Sequence, residues 1–296
     1  MSVEACPAAS ELSVPHFVVP GAKALDLDRT LTQVPACTDR IISVSDAFGI
    51  SEQAIRGAQN AHSGGRDPLR YIQDTLSPGE FMDWGQRYID LRDPAITYPD
   101  THDFMDALRA APALPNVGVT YGTNALLQVI KVAGSGCKLY IEILDHTDKG
   151  PHLANWWHNG AANFTGYDSE GEPVGVYHAE SVELVDDNDE CMENLPAHYT
   201  GARLVRAGEK RKAGQEGPVP EHLRDRVRTI SGLGEVCIPQ DVRPAGCSPV
   251  VYTAGQLPIS ESFSPVYPNG NAYPGILITP DKTFVELKTT LDALYA

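Results

Sequence analysis

The second half of the chain alternates short apolar segments with helical ones, and this pattern constrains the fold more than any other feature. The segments "NVGVTYG", "CKLYIEIL", "SVELVDD" and "ARLVRAG" have the length and apolar content of buried strands, while "YPDTHDFMDALRAA" and "NALLQVIKVAG" have a helical pattern. Such alternation predicts an α/β fold, a Rossmann-like parallel sheet with helices on both faces. In such sheets ligands bind at the carboxyl ends of the strands, so the residues that follow each strand are the first candidates for a functional site.

A long helical stretch before this alternation divides the chain into four predicted regions. Residues 1–21, rich in Pro, Ser and Ala, are predicted to be a leader on the surface. An α/β core is predicted from residues 22–33 and 97–237, opening on "AKALDLD" as a short buried strand. Residues 34–96 form a small helical cap domain inserted into that core. Residues 238–296, rich in Pro and Gly, are predicted to be a C-terminal extension packed on the core.

Three local signals give the expected ends of elements. The first helix of the insert is expected to begin near Thr38, because Thr and the following Asp are residues that cap helices. The helix "NALLQVIKVAG" is expected to close at Gly134, since glycine commonly ends helices. The segment "GYDSEGEPVGVY" is predicted to be an extra loop or hairpin within the core.

Composition and charge exclude several classes of protein. The 296-residue chain is 42% apolar and has a formal net charge of −16, which argues against nucleic acid as a partner because phosphate backbones need clustered cations. No stretch approaches the roughly 20 apolar residues of a membrane span. The start of the sequence lacks the basic region and apolar run of a signal peptide, and the six cysteines form no CxxC pair. We therefore expect a cytoplasmic protein without a membrane partner.

Charged and hydroxyl side chains follow four of the predicted strands. They are Asp26, Asp28, Thr120, Lys149, Asp186 and Asp187. Four carboxylates at one sheet edge repel one another unless a cation lies among them, and oxygen ligands favour Mg²⁺ that keeps some waters and a substrate phosphate. An aspartate in such a cluster can act as a nucleophile, and a second carboxylate can carry the proton. A lysine and a hydroxyl can hold phosphoryl oxygens.

The order of these motifs resembles that of the haloacid dehalogenase-like (HAD) superfamily. "ALDLDRTL" resembles its first motif, an apolar strand followed by DxDxT, and "NVGVTYG" its second, a strand that ends in Thr or Ser. "DKG" resembles the third motif, a Lys that opens a helix, and "VELVDDND" the fourth, a strand that ends in an acidic pair. The resemblance covers about residues 22 to 210, and residues 34–96 lie where that family places a C1-type helical cap.

This resemblance implies roles for the acidic residues. Asp26 resembles the nucleophile, and Asp28 resembles the general acid/base that also gives a backbone carbonyl to Mg²⁺. Asp186 resembles the remaining metal ligand, and Asp187 is a second candidate ligand or a group that supports one. Taken without their partner motifs, Asp26 and Asp28 could equally form a turn after a strand, and the acidic pair could lie at a helix N-terminus.

On the substrate side, the resemblance implies that Thr120 and Lys149 bind the phosphoryl group. The neighbours Tyr121 and Gly122 are expected to contribute to phosphate binding, as is Arg29, which stands where the family most often has Gly. Two alternatives stay open at this point. The hydroxyl of Thr123 competes with that of Thr120, and the ammonium groups of Lys131 and Lys138 compete with that of Lys149.

The activity implied is that of a Mg²⁺-dependent phosphomonoester phosphatase that acts on a small phosphorylated metabolite through an aspartyl-phosphate. One alternative is a phosphotransferase or mutase of the same superfamily, and another is a non-catalytic scaffold or binding protein with this fold. A dehalogenase is a weaker alternative, because Asp28 supplies the acid that phosphoryl transfer needs. The sequence makes no prediction of oligomeric state.

Overall fold

The computed structural model describes most of the first 240 residues and two short strands beyond them. The described residues are 15–19, 21–63, 71–72, 74–88, 90–111, 116–120, 131, 134–137, 139–142, 149, 163–167, 173–193, 195–197, 199–208, 217–239, 251–254 and 275–277.

Eleven strands and several α-helices are described in this part of the chain. The strands are β1 His16–Val19, β2 Ala22–Leu25, β3 Asn116–Thr120, β4 Leu139–Glu142, β5 Asn163–Tyr167, β6 Pro173–Ala179, β7 Val182–Asp186, β8 Tyr199–Leu204, β9 Val227–Ile230, β10 Val251–Ala254 and β11 Gly275–Leu277. The described α-helices are α1 Val34–Ala47, α2 Glu52–Ser63, α3 Pro78–Tyr88, α4 Thr101–Ala110 and α5 Asp189–Glu193.

Among the described residues, the main sheet has seven strands in the order β11-β4-β3-β2-β7-β8-β9. The six strands from β4 to β9 are parallel, and β11 joins the edge antiparallel to β4. The central strand β2 is buried along its whole length, as expected for a parallel strand covered on both faces. The predicted α/β fold with a parallel sheet is confirmed.

The order of strands reverses at β2. The chain passes from β2 to β3 on one side, but β7 pairs with β2 on the other side and β8 lies beyond it. Because connections between parallel strands are right-handed, α4, which leads into β3, and α5, which leads into β8, lie on opposite faces of the sheet. The carboxyl end of β2 is therefore the topological switch point, where open α/β sheets bind ligands.

A second sheet of four strands has the order β1-β6-β5-β10. Its β5 and β6 form an antiparallel hairpin. The sequence analysis left a loop or a hairpin open for this segment, and the structure has the hairpin. The segment predicted as a surface leader contributes β1, which pairs parallel to β6. Beyond residue 238, β10 pairs with β5 and β11 pairs with β4, so the described parts of the C-terminal segment join both sheets.

The described part of the insert packs its helices onto the core. One hydrophobic cluster joins Leu25 and Leu27, next to the switch point, to Ile41 of α1 and to Trp84 and Tyr88 of α3. The Trp84 indole N–H donates to the Ser45 hydroxyl at 3.1 Å, so α3 is tied to α1 by a buried polar contact as well as by apolar packing.

The two segments that join the insert to the core run side by side, and we call residues 31–33 and 96–98 the neck. Thr32 pairs antiparallel with Thr97, the Gln33 amide donates to the Ile96 carbonyl at 2.9 Å, and the Gln33 side chain donates to the Thr97 carbonyl at 2.8 Å. The chain thus leaves the core and returns to it at adjacent positions.

Two helix ends differ from the sequence-based expectation. Helix α1 begins at Val34 rather than near Thr38, because Pro35 fits the first turn, where its missing N–H costs nothing. Residues 134 and 135 are both helical, past the end expected at Gly134, and Gly136 takes the left-handed conformation, with φ 89°. A Cβ on Gly136 would lie 3.2 Å from the Met105 carbonyl oxygen, so the glycine also permits a close approach to α4.

Candidate functional site

The acidic residues predicted from the sequence meet at the switch point. Asp26 directly follows β2, and Asp186 is the last residue of the neighbouring strand β7. Leu25 pairs in register with Val185, and the Asp26 amide donates to the Val185 carbonyl at 3.0 Å. Parallel pairing of two apolar strands therefore fixes the two carboxylates next to each other.

Lys149 lies between these two carboxylates. Its ammonium group is 2.6 Å from Asp26 Oδ1 and also donates a hydrogen bond to Asp186 Oδ2. All three side chains are buried: that of Lys149 is 1% exposed, that of Asp186 1% and that of Asp26 9%. The buried ammonium group of Lys149 can stay charged because two carboxylates accept its hydrogen bonds.

The same contacts shift the protonation of the group. Burial, with a smaller contribution from the nearby carboxylates of Asp186 and Asp187, raises the pKa of Asp26 from 3.8 to about 8, although Lys149 opposes this rise. Burial by itself would lower the pKa of Lys149, but the carboxylates of Asp186 and Asp26 outweigh it and hold that pKa well above its ordinary value. Asp26 is thus a carboxylate whose charge depends on the cations beside it.

Three carboxylates of the site can hold a metal ion. One oxygen each from Asp26, Asp186 and Asp187 lies within 4.8 Å of the other two. Carboxylate oxygens are hard donors of the kind that Mg²⁺ prefers, and the ion fills its remaining positions with water and substrate oxygens. The donor set therefore fits the predicted cofactor.

Asp28 faces a different set of partners. Its Oδ1 is 2.6 Å from the ammonium group of Lys131, and it accepts a hydrogen bond from the Thr32 hydroxyl at 3.0 Å. Among the described residues, the three carboxylates that can share a metal ion are those of Asp26, Asp186 and Asp187, so the Asp28 side chain is not one of them. The structure thus brings Lys131, one of the competing lysines, to Asp28, whereas Lys149 contacts Asp26 and Asp186.

The loop after β2 has further features that the sequence did not reveal. The Thr30 hydroxyl donates to Asp26 Oδ2 at 3.1 Å, and Thr30 is fully buried. Arg29 has φ 67° and is the only non-glycine residue with a positive φ in the described part of the chain. Its amide donates to the Thr32 carbonyl at 2.7 Å, which closes the loop tightly between Asp28 and Thr32.

The turn after β7 holds Asp186 in place. The Asn188 amide donates to Asp186 Oδ1 at 2.8 Å, and the Asn188 side chain accepts from the Glu190 amide at 3.2 Å as α5 begins. Cys191 follows this turn in the sequence and is buried in the core. Burial raises the pKa of its side chain, so Cys191 is an uncharged thiol that contributes to packing and not a thiolate.

Of the remaining predicted site residues, the structure describes the backbone of Thr120, on the other side of β2. Thr120 is the last residue of β3, which pairs with β2, so its backbone reaches the same sheet edge. Tyr121 and Gly122 lie outside the described residues, and so do the competing candidates Thr123 and Lys138.

In the part of the chain that the structure describes, no helix has the length and apolar character needed to cross a membrane.

No protein-family model and no curated protein matches this sequence. Solved structures resemble the chain at low identity. A haloacid dehalogenase-like protein from Burkholderia xenovorans LB400 is 17% identical, covering 75% of this chain and 97% of its own, with a TM-score of 0.44. The HAD-type protein YfnB of Bacillus subtilis, solved with magnesium, is 10% identical over 75% and 96%, with a TM-score of 0.35. A HAD family hydrolase from Deinococcus radiodurans R1, solved with phosphate and sodium, is 16% identical over 72% and 92%, with a TM-score of 0.32.

Proposed function

We propose that this protein is a HAD-type, Mg²⁺-dependent phosphohydrolase that cleaves a small phosphomonoester through an aspartyl-phosphate. The observation that carries the proposal is the buried group at the switch point, where Lys149 bridges Asp26 and Asp186 and Asp187 completes a set of metal-binding oxygens. Buried carboxylates held beside a buried lysine are costly for a merely structural purpose, because both kinds of charge lose their hydration.

The residues divide the chemistry of phosphoryl transfer among them. In the first step a carboxylate oxygen of Asp26 attacks phosphorus, the bond from phosphorus to the leaving oxygen breaks, and Asp28 gives that oxygen a proton. In the second step a water molecule attacks the aspartyl-phosphate and gives its proton to Asp28. The Asp26–phosphorus bond then breaks, and inorganic phosphate leaves.

The positions of Asp26 and Asp28 support separate roles. Asp26 is held by Lys149 and Thr30, whereas Asp28 is held by Lys131 and Thr32 on the other side of the loop. An acid/base must stay clear of the metal ion and near the leaving oxygen, and the separate partners of Asp28 meet the first of these needs.

The cations of the site would stabilise the charge that collects on the phosphoryl oxygens. Mg²⁺ held by Asp26, Asp186 and Asp187 would supply charge neutralisation and orientation for the phosphoryl group. Lys149 already touches two of these ligands, so a short movement of its ammonium group would let it bind a phosphoryl oxygen instead. The Thr120 hydroxyl is proposed as a second donor at the same edge.

A substrate panel tests the proposal directly. Purified protein is assayed on p-nitrophenyl phosphate and on phosphorylated metabolites with Mg²⁺ and with EDTA, together with Asp26→Asn. Turnover should require Mg²⁺ and should fall at least a thousandfold in Asp26→Asn, since the nucleophile is lost. Asp225→Asn, the same change at an exposed aspartate, serves as the matched control and should retain full activity.

Two outcomes would favour the alternatives. Full activity in Asp26→Asn would contradict the aspartyl-phosphate mechanism. Absence of Mg²⁺-dependent turnover on the whole panel would favour a scaffold or binding protein. A phosphotransferase or mutase would transfer the phosphoryl group to an added alcohol faster than to water, which is measured as product phosphoester against free phosphate.

A further inference from the structure

Arg29 combines an unfavourable, left-handed backbone conformation with a guanidinium group that forms no ion pair or hydrogen bond among the described residues. At φ 67° the Cβ of any residue other than glycine is crowded, so a chain under no other demand would place Gly or Asn here. Its side chain is half-buried. Backbone strain of this kind concentrates at functional sites, where the surrounding structure holds the residue in place.

The guanidinium group forms no ion pair or hydrogen bond with the rest of the molecule in the described structure, although acidic residues surround it in the sequence. Each neighbouring carboxylate already has another partner. Asp28 accepts from Lys131 and Thr32, and Asp26 accepts from Lys149 and Thr30. The cation at position 29 is therefore available to a ligand.

Hydrogen bonds hold the loop that presents Arg29. The residue lies between the proposed acid/base and the threonine that holds the nucleophile, and its amide donates to the Thr32 carbonyl. Arg206 fixes the same loop from outside by donating to the Thr30 carbonyl at 3.1 Å. A cation on a loop fixed at both ends can select among substrates, because little ordering is needed when a ligand binds.

Resting on the proposed function, we propose that Arg29 binds a second anionic group of the substrate, a carboxylate or a phosphate separate from the phosphoryl group that is transferred. The transferred group already has Lys149 and the metal-binding carboxylates to hold it. A guanidinium presents a planar pair of donors that suits either anion. The preferred substrate class is then small phosphomonoesters that carry another negative charge.

Matched substrate pairs test the inference. 2-Phosphoglycolate is compared with 2-hydroxyethyl phosphate, and propane-1,3-diol bisphosphate with the monophosphate of the same diol. We expect wild-type kcat/KM to favour the more anionic member of each pair. Arg29→Gly should lower that preference at least tenfold, whereas Arg29→Lys should retain part of it. Whichever pair loses more shows whether the second anion is a carboxylate or a phosphate.

Thermal stability separates ligand recognition from a structural role. Arg29→Gly relieves the left-handed strain, so its Tm should equal or exceed that of the wild type while the preference falls. Arg224→Gly, at an exposed arginine before β9 at the opposite sheet edge, is the matched control and should leave the preference unchanged.

The results that would overturn the inference are distinct from those that would overturn the proposed function. Equal losses on both members of each pair in Arg29→Gly, or an unchanged preference, would overturn the role of Arg29 alone. A lower Tm together with equal losses would assign Arg29 to structure instead. Absence of Mg²⁺-dependent turnover on every probe would overturn the proposed function and, with it, this inference.

Discussion

The guanidinium carbon of Arg206 lies 3.8 Å from the centroid of the Tyr98 ring. The same group donates to Asp100 at 2.8 Å and to the Thr30 carbonyl at 3.1 Å. Asp100 in turn accepts from the Leu233 amide at 2.6 Å. One arginine after β8 therefore connects the loop after β2, the neck at Tyr98 and the segment after β9.

Loss of this arginine should cost stability and loosen the loop that follows the proposed nucleophile Asp26. Arg206→Met removes the ring contact and the hydrogen bonds to a largely buried guanidinium, and we expect a loss of about 2–4 kcal/mol in free energy of unfolding. Arg206→Lys keeps the charge but not the planar fork, so its loss should be about half as large. Urea unfolding measures both, with Arg224→Met as the exposed control; equal stability in all three would contradict this role.

The hydrogen bond from Thr30 to Asp26 should contribute to catalysis rather than only to stability. Thr30→Val keeps the shape of the side chain but removes the donor to Asp26 Oδ2, and a hydrogen bond to a charged group is worth about 1.5–3 kcal/mol. We expect kcat to fall by about 10- to 100-fold in Thr30→Val, while Thr30→Ser retains most activity. If steady-state assays show instead that Thr30→Ser loses activity and Thr30→Val retains it, packing of the methyl group and not the hydrogen bond is the cause.

Lys131 should matter through its contact with Asp28. Lys131→Met is expected to lower kcat by about tenfold or more, because the proposed acid/base loses the partner that orients its carboxylate. Lys23→Met is a matched control: Lys23 pairs with Glu183 at 2.6 Å near the amino ends of the strands, away from the site. That variant should lower Tm but leave kcat unchanged, and a similar fall of kcat in both would argue for a general effect of stability.

Stability without a divalent ion should depend on the ionisation of Asp26. Its pKa rises from an ordinary 3.8 to about 8 in the folded protein, so its contribution to stability is complete below pH 3.8 and is lost as pH rises through about 8. In EDTA, the free energy of unfolding of the wild type should therefore fall relative to Asp26→Asn between about pH 4 and 8 and change little above that. Parallel curves for the two proteins would contradict the raised pKa.

The same protonation predicts that Mg²⁺ binding releases a proton. Below about pH 8 the Asp26 carboxyl must lose its proton before it can act as a ligand, so the apparent Kd for Mg²⁺ should fall as pH rises from 6 to 8. Calorimetry in two buffers with different ionisation enthalpies counts the released protons. In Asp26→Asn this release should disappear; if it persists, another group is the source.

The sequence predicts the sheet and its acidic edge because both depend on local patterns. Short apolar runs give β2 and β7, and the residue after each run is placed by the strand itself, so Asp26 and Asp186 could be assigned to one edge. The order of the strands was not predicted, because it depends on pairing between segments that are far apart in the sequence. The hairpin of β5 and β6 was one of two alternatives, because a segment with three glycines and several polar residues suits either a loop or a hairpin.

The partners of the site residues could not be predicted in this way. Lys131 lies 103 residues from Asp28 and Arg206 lies 176 from Thr30, so only the packing of the helices and strands brings them together. Thr30 was visible within the DxDxT motif, yet its contact with Asp26 depends on the tight loop that Arg29 makes possible. The start of α1 was missed because Pro35 fits the first turn before the cap expected at Thr38. The end expected at Gly134 was missed because Gly136 is the glycine with the left-handed conformation.

The neck has a consequence for how such a protein can diversify. Because Thr32 and Thr97 are neighbours, the chain between them begins and ends at almost the same point, and its length changes the cost of closing the core only slowly. A lineage can lengthen, shorten or exchange that segment while the pairing of β2 with β3 and β7 persists. New substrate specificities can then arise by exchange of the segment between Thr32 and Thr97, while the residues at the carboxyl ends of β2 and β7 are retained.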